Sequence, residues 1–262
     1  MSESRTEHGR ANDDVEEPVE TTHTQAAEEG AQRLHRSWPV LLTTGFLGGV
    51  EISVGLLAYL LTLHETGSHL LAGLALSVGF VALFLAHSEL FTEGFFYPIM
   101  AIATGRGTWL ELLRLWGVTL ATNLLGGWVT VGLIGLAFPK LHPELAESAH
   151  HFLEIGLSWQ GVALALLAGV GITLMTRMQA GAEDASTKVV ASVAGALVLG
   201  GGSLFHSVLD SVIMFGAIQI GTEGIGYLDW LGWVWWVIPL NILGGLALTT
   251  APRVLRSAEA RD

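Results

Sequence analysis

The chain has 262 residues, of which 51% are hydrophobic and only 14% charged, with 33 glycines, no cysteine and a formal net charge of −12. A soluble domain carries about a quarter of its residues as Asp, Glu, Lys and Arg, so this composition points to a membrane. The lack of cysteine excludes disulfides, zinc–thiolate sites and iron–sulfur clusters, and no basic patch suggests a nucleic-acid partner.

Residues 1–36 are predicted to be a cytoplasmic acidic tail. Glu3, Glu7, Asp13, Asp14, Glu16, Glu17, Glu20, Glu28 and Glu29 supply much of the net charge. The composition predicts disorder to about residue 23, then a short helix over Thr24–Trp38 at the membrane surface. The polar, acidic start is not a secretory signal. Apolar runs follow near 39–63, 70–103, 114–137, 159–180, 188–220 and 231–250, within a channel domain of 37–252 and ahead of a C-terminal tail of 253–262.

A straight span needs about 20 residues. The second and fifth runs are over 30 residues long, too long for one helix and short for two. The second contains His87, Glu89, Glu93 and Pro98; the fifth contains Gly200-Gly-Gly202-Ser203, His206 and Asp210. Each is predicted to be one span broken mid-membrane, at Glu89–Thr92 and at Ser203–Ser211. Such backbone survives only where it is buried in protein or lines a cavity.

A weak repeat at an offset of about 120 residues relates the two halves. Asn123-Leu-Leu-Gly-Gly127 in the third run matches Asn241-Ile-Leu-Gly-Gly245 in the sixth. Leu47-Gly-Gly-Val50, with Ser53, matches Leu167-Ala-Gly-Val170, with Thr173. With the N-terminus inside, inner segments hold Arg33, Arg36, Arg106, Arg114, Arg177, Lys188, Arg253, Arg256 and Arg261, and outer loops hold only Lys140. This asymmetry predicts both termini in the cytoplasm. Three spans per half then give two inverted repeats. The prediction is an all-α membrane protein with six transmembrane helices as two inverted three-helix repeats.

The outer loop 138–158 holds His142, His150, His151, Glu144, Glu147 and Glu154. A surface metal site is one reading; a solvated amphipathic helix carries more weight, and no metal or other cofactor is expected. Trp230, Trp233, Trp235 and Trp236 are expected to anchor the sixth span at the headgroups.

The polar residues inside the spans carry the functional reading. A titratable group in the bilayer is costly, so His206 is read as functional, the alternative being a cap on a broken helix. Asp210, four residues on, either stabilises the imidazolium or caps the second half-helix. Glu51 either stays protonated or pairs with Arg177. Glu89 and Glu93 would repel on one helix face, so the break separates them. His87 is a second polar group of that loop, and Asn123 and Asn241 are expected to satisfy backbone exposed by broken neighbours.

Taken in order, these motifs resemble the formate/nitrite transporter family over about residues 25–256. The resemblance rests on Glu89-Leu90-Phe91-Thr92, Gly105-Arg106-Gly107-Thr108-Trp109, the Asn-x-x-Gly patterns at Asn123 and Asn241, and His206-Ser207. It implies an aquaporin-like fold, a homopentamer with one pore per subunit, and an inner-membrane location. It also implies a central His206 with Thr92 as its loop partner between apolar constrictions, which gives Leu90, Phe91, Thr173 and Phe205 as further pore residues. Glu89 would hold its loop by accepting backbone N–H groups, with direct contact to the substrate as the alternative. The chain departs from the family pattern at Thr173 (commonly Asn), Phe205 (commonly Glu) and Asp210 (commonly Asn), which resembles a less-characterised branch.

The function expected is a channel or transporter, not an enzyme, for a small monovalent anion or its conjugate weak acid, either passive or proton-linked through His206. A channel for a neutral or cationic solute is the alternative, motivated by Glu51, Glu89, Glu93 and Asp210. An intramembrane serine protease would need Ser203 and His206 to converge from two elements, whereas they are three apart on one segment. An aquaporin would carry paired Asn-Pro-Ala motifs, which are absent.

Overall fold

The computed structural model describes residues 23–252, and every regular element among them is helical. The acidic tail expected to be disordered and the C-terminal tail lie outside these residues. A short helix, α1, covers 23–34. Long helices follow: α2 (Trp38–Thr66), α3 (His69–Ala86), α5 (Trp109–Ala137), α7 (Trp159–Ala180) and α10 (Tyr227–Gly245). Shorter ones are α4 (Tyr97–Ala103), α6 (His142–Ile155), α8 (Ala185–Gly201) and α9 (Ser207–Gln219). The five long helices, α10 being extended to Thr250, are apolar and long enough to cross a membrane.

Local chemistry sets the ends of these helices. Ser68, Ser158 and Asp184 accept N–H groups from the first turns of α3, α7 and α8 at 3.3, 3.1 and 2.9 Å. Thr108 and Glu111 form a reciprocal capping box at the start of α5. Gly67, at φ 64°, ends α2 in the left-handed conformation that glycine adopts freely.

Both overlong runs are broken. α3 stops at His87, which is left-handed at φ 55°. An extended stretch and a single 3₁₀ turn, Phe91–Phe95, then lead into α4. After α8 the chain turns through Ser203, also left-handed at φ 47°, and α9 begins at Ser207. This second break is shorter than expected, because Ser207–Ser211 is already helical. The side chains of His206 and Asp210 bond the backbone there and restart the helix.

α2 packs between α3 and α5, α7 packs between α8 and α10, and α3 lies against α8. Small residues let the backbones touch. A Cβ on Gly49 would fall 2.1 Å from the Asn123 carbonyl oxygen, and one on Gly169 would fall 2.0 Å from that of Asn241. α6 lies on α9 through Leu145, Ala149 and Phe152.

The tryptophan run does not act as one anchor. Trp235 is exposed, but Trp233 and Trp236 are buried and pack on Phe205. Helical periodicity turns these two toward the core while Trp235 faces out.

Candidate functional site

Two asparagines hold the two breaks in the same way. Asn123 of α5 donates through Nδ2 to the carbonyls of Gly45 and Glu89, at 2.7 and 2.8 Å, and accepts from the Phe91 N–H at 2.8 Å. Asn241 of α10 donates to the carbonyls of Ala165 and Phe205, both at 2.8 Å, and accepts from the Ser207 N–H at 2.9 Å. Each amide makes two of its three bonds to backbone groups that the interrupted helix leaves without partners, and the third to a carbonyl of a continuous neighbour, α2 or α7.

The breaks meet at His206 and Thr92, both fully buried. The backbone of His206 is the N-cap of α9, and its ring Nδ1 accepts the Leu209 N–H at 3.1 Å. Nδ1 therefore carries the lone pair, the neutral ring holds its hydrogen on Nε2, and Nε2 donates to Thr92 Oγ1 at 2.9 Å. The Thr92 hydroxyl, thus used as an acceptor, has its own hydrogen to donate. Asp210 Oδ2 accepts the His206 backbone N–H at 2.9 Å. Of the two roles open to Asp210, the contact is the cap: its carboxylate meets the backbone rather than the ring. The positive end of the α9 dipole lies at the same point.

Aromatic clusters flank this pair. Phe91 packs edge-on to Phe95 and Trp116, at 5.3 and 6.1 Å between centroids. The buried Phe205 ring contacts Phe152 of α6 at 5.6 Å and Trp233 of α10 at 5.8 Å. Leu90 is fully buried in the first break. Thr173 is buried in α7, where its hydroxyl faces the Gly245 backbone of α10.

Glu89 is held differently from the backbone-accepting role expected of it. Its Oε1 lies 2.7 Å from Arg36 Nη1 and 3.5 Å from Arg33 Nη1, with Glu89 only 1% exposed. α1 supplies Arg33, and the link between α1 and α2 supplies Arg36. Burial by itself lowers the proton affinity of Arg33, but the carboxylates of Glu89, Glu29 and Glu93 outweigh it and raise the group above its ordinary value. Glu93 is buried one turn away on the 3₁₀ segment. Glu51 does not pair with Arg177. Its Oε1 accepts from Ser88 at 2.9 Å, while Arg177 lies in the last turn of α7. His87 is exposed beside this pair.

On the α6 side, a cavity of about 960 Å³ leads down between α2, α6 and α9 to Leu204, Leu209 and Asp210. Phe152, Arg33, Arg36 and Trp116 thus belong to the site's surroundings although the motifs did not single them out. Two arginines just ahead of the first span, with Glu89 and Glu93 within the second, were the available signal for the ion pair.

Residues 20–255 match the sequence model of a family described as Formate/nitrite transporter. The inner membrane protein YfdC of Escherichia coli (strain K12) is 29% identical over 240 residues, covering 85% of this chain and 74% of that protein. The formate channel BtFdhC of Bacillus thuringiensis is 26% identical over 246 residues, covering 83% and 87%. Among solved structures, a pentameric formate channel with formate bound superposes with a TM-score of 0.66 at 19% identity, covering 86% of this chain and 94% of that one.

Proposed function

The chain belongs to the formate/nitrite transporter family, and from that premise we propose that it is a channel for a small monovalent anion or its conjugate weak acid, passing between the two breaks at Thr92 and His206. The observation that carries this reading is the buried Thr92–His206 hydrogen bond at the junction of both interrupted helices. The Thr92 hydroxyl hydrogen, left to donate because the Nε2–H of neutral His206 fills its oxygen, and the N-terminus of α9 together present hydrogen-bond donation and positive potential to an anion that has shed its water. Leu90 and Phe91 on one side, with the Phe205 cluster on the other, keep the passage narrow and apolar. An anion must then meet the donors one at a time rather than with its hydration shell.

We further propose six spans in two inverted repeats, with α3–α4 and α8–α9 each as one broken span. The matching asparagine clamps and the left-handed residue at each break support this reading. Both termini face the cytoplasm, as the Lys and Arg distribution favours, in the inner membrane where YfdC is named. Assembly as a homopentamer follows the formate channel with the same fold. The exposed Leu70, Leu110, Leu133 and Leu136 on the long helices give it apolar surface for lipid and neighbouring subunits. Thr173 and Phe205 act through packing that shapes the passage, and Asp210 and Glu89 hold its two loops.

A flux panel in proteoliposomes tests the function. Formate and nitrite should permeate faster than acetate, hydrosulfide, ammonium or water. Flux of ammonium or water alone would replace this reading with a cation or neutral-solute channel. A C-terminal reporter active only in the periplasm would overturn the orientation.

A further inference from the structure

The two breaks differ in what covers them. At the second, Ser203 and Leu204 line the cavity beside α6, whose walls include the exposed Glu147, His151 and Glu154, so the irregular backbone there borders water. At the first, Leu85, Ala86 and His87 are exposed and lie outside that cavity. Two hydrogen bonds fix their depth. The Glu89 N–H donates to the Thr44 carbonyl at 3.1 Å, and the Ser88 hydroxyl donates to Glu51 at 2.9 Å. The bend therefore sits beside residues 44–51 of α2, about 10–20 Å along that helix from Trp38. A hydrocarbon core is about 30 Å thick, so the bend lies well inside it.

Interrupted backbone at that depth does not face lipid, because hydrocarbon offers its peptide groups no partner. Among the described residues, the carbonyls of Ala86 and His87 accept no hydrogen bond, and the His87 ring makes none. His87 is also left-handed at φ 55°, a conformation that costs a side-chain-bearing residue and that glycine adopts freely. An exposed imidazole in a strained position, beside a Glu51 whose buried Oε2 has no partner, needs a reason beyond the local fold. Around this polar centre the surface is apolar: Leu47 and Val54 of α2 and Val78 and Leu85 of α3 are all exposed. Apolar packing surface about a polar centre suits a protein cover rather than lipid or water.

We propose that a second copy of this chain covers the α2–α3 face, and that the His87 ring bonds to that neighbour in the middle of the bilayer. The inference rests on the homopentamer reading above. In a closed ring each copy uses two different faces, so the α2–α3 face of one subunit meets another face of the next. The neighbour seals the first break, as the cavity water serves the second, and an intersubunit contact stands directly beside the loop that carries Thr92.

The otherwise cysteine-free chain makes the test direct. Leu85→Cys protein, labelled with benzophenone maleimide and irradiated in lipid vesicles, should give mainly adducts of two copies, seen as a band of doubled mass on a denaturing gel. A nitroxide on Ala86→Cys should be shielded from both dissolved oxygen and a water-soluble nickel chelate. Lipid adducts at residue 85 overturn the inference in favour of a lipid face, and a nitroxide that the nickel chelate reaches overturns it in favour of a water-filled one. His87→Gly keeps the backbone conformation and removes only the ring. Its assembly should come apart at about tenfold higher protein concentration than that of the wild type, read by native mass spectrometry on dilution. A purely local role for the ring predicts unchanged or tighter assembly, and that result overturns the contact even where the labelled variants fail to assemble. A wild type that is monomeric in vesicles defeats the assembly reading and the inference together; an assembly of several copies with lipid adducts at residue 85 defeats the inference alone.

Discussion

Thr92 and His206, 114 residues apart, meet through a hydrogen bond of 2.9 Å that joins the two broken helices. The Leu209 N–H on Nδ1 settles the direction of that bond, because it leaves Nε2 as the donor and Thr92 as the acceptor. A second proton on the ring would have to displace the Leu209 N–H. The bond therefore couples three things: the neutral form of His206, the cap of α9 and the orientation of the Thr92 hydroxyl.

Thr92→Val keeps the shape of the side chain and removes both the acceptor for Nε2 and the hydroxyl hydrogen offered to the permeant ion. Formate flux should fall by about tenfold or more, an effect of about 1.4 kcal/mol, with assembly retained. Thr92→Ser should keep most of the flux. Stopped-flow flux on size-exclusion-matched samples separates the two; equal flux in Val and Ser variants would deny the hydroxyl a role.

Asn123→Ala and Asn241→Ala should destabilise the protein by similar amounts, about 2–4 kcal/mol each, because each removes three buried hydrogen bonds and strands backbone groups of one break. Thermal unfolding in detergent measures this. A large loss for one and none for the other would end the equivalence of the two clamps.

Glu89→Gln leaves Arg33 and Arg36 facing a buried neutral amide and should cost about 3 kcal/mol. Combining it with Arg36→Gln should cost less than the two single changes added together, since the second change removes one of the unpaired charges. A double-mutant cycle on melting temperature gives the coupling, and strict additivity would mean that the ion pair contributes nothing.

Asp210→Asn retains an oxygen that can accept the His206 N–H, whereas Asp210→Ala does not. The Asn variant should therefore assemble and conduct, and the Ala variant should lose about 1–2 kcal/mol of stability together with part of its flux. Comparable behaviour of the two would show that the carboxylate's charge, not its hydrogen bond, is what matters.

Much of this arrangement was legible in the chain because it is carried by local pattern. Two overlong apolar runs with polar interruptions marked the breaks, and the repeated Asn-x-x-Gly motifs marked the clamps, since an amide inside a bilayer needs backbone partners. What was not legible depends on long-range partners. The spacing of His206 and Asp210 fits a ring contact and a cap equally well, and only the position of the carboxylate distinguishes them. Phe205 was read as a pore residue from its place beside His206, and the packing of its ring on Phe152 of α6 and Trp233 of α10 is a long-range contact that the motif does not carry. Glu89 finds its cations on α1 and the link that follows it, more than fifty residues earlier, where sequence spacing sets no geometry.

The most direct measurement is formate flux into proteoliposomes carrying wild-type protein or His206→Leu, compared at matched protein content with ammonium as the control solute. The wild type should show saturable formate flux and little ammonium flux, and an assembled His206→Leu protein should lose about tenfold or more of the formate flux. Formate flux that persists undiminished in His206→Leu, or wild-type flux of ammonium without formate, would contradict it.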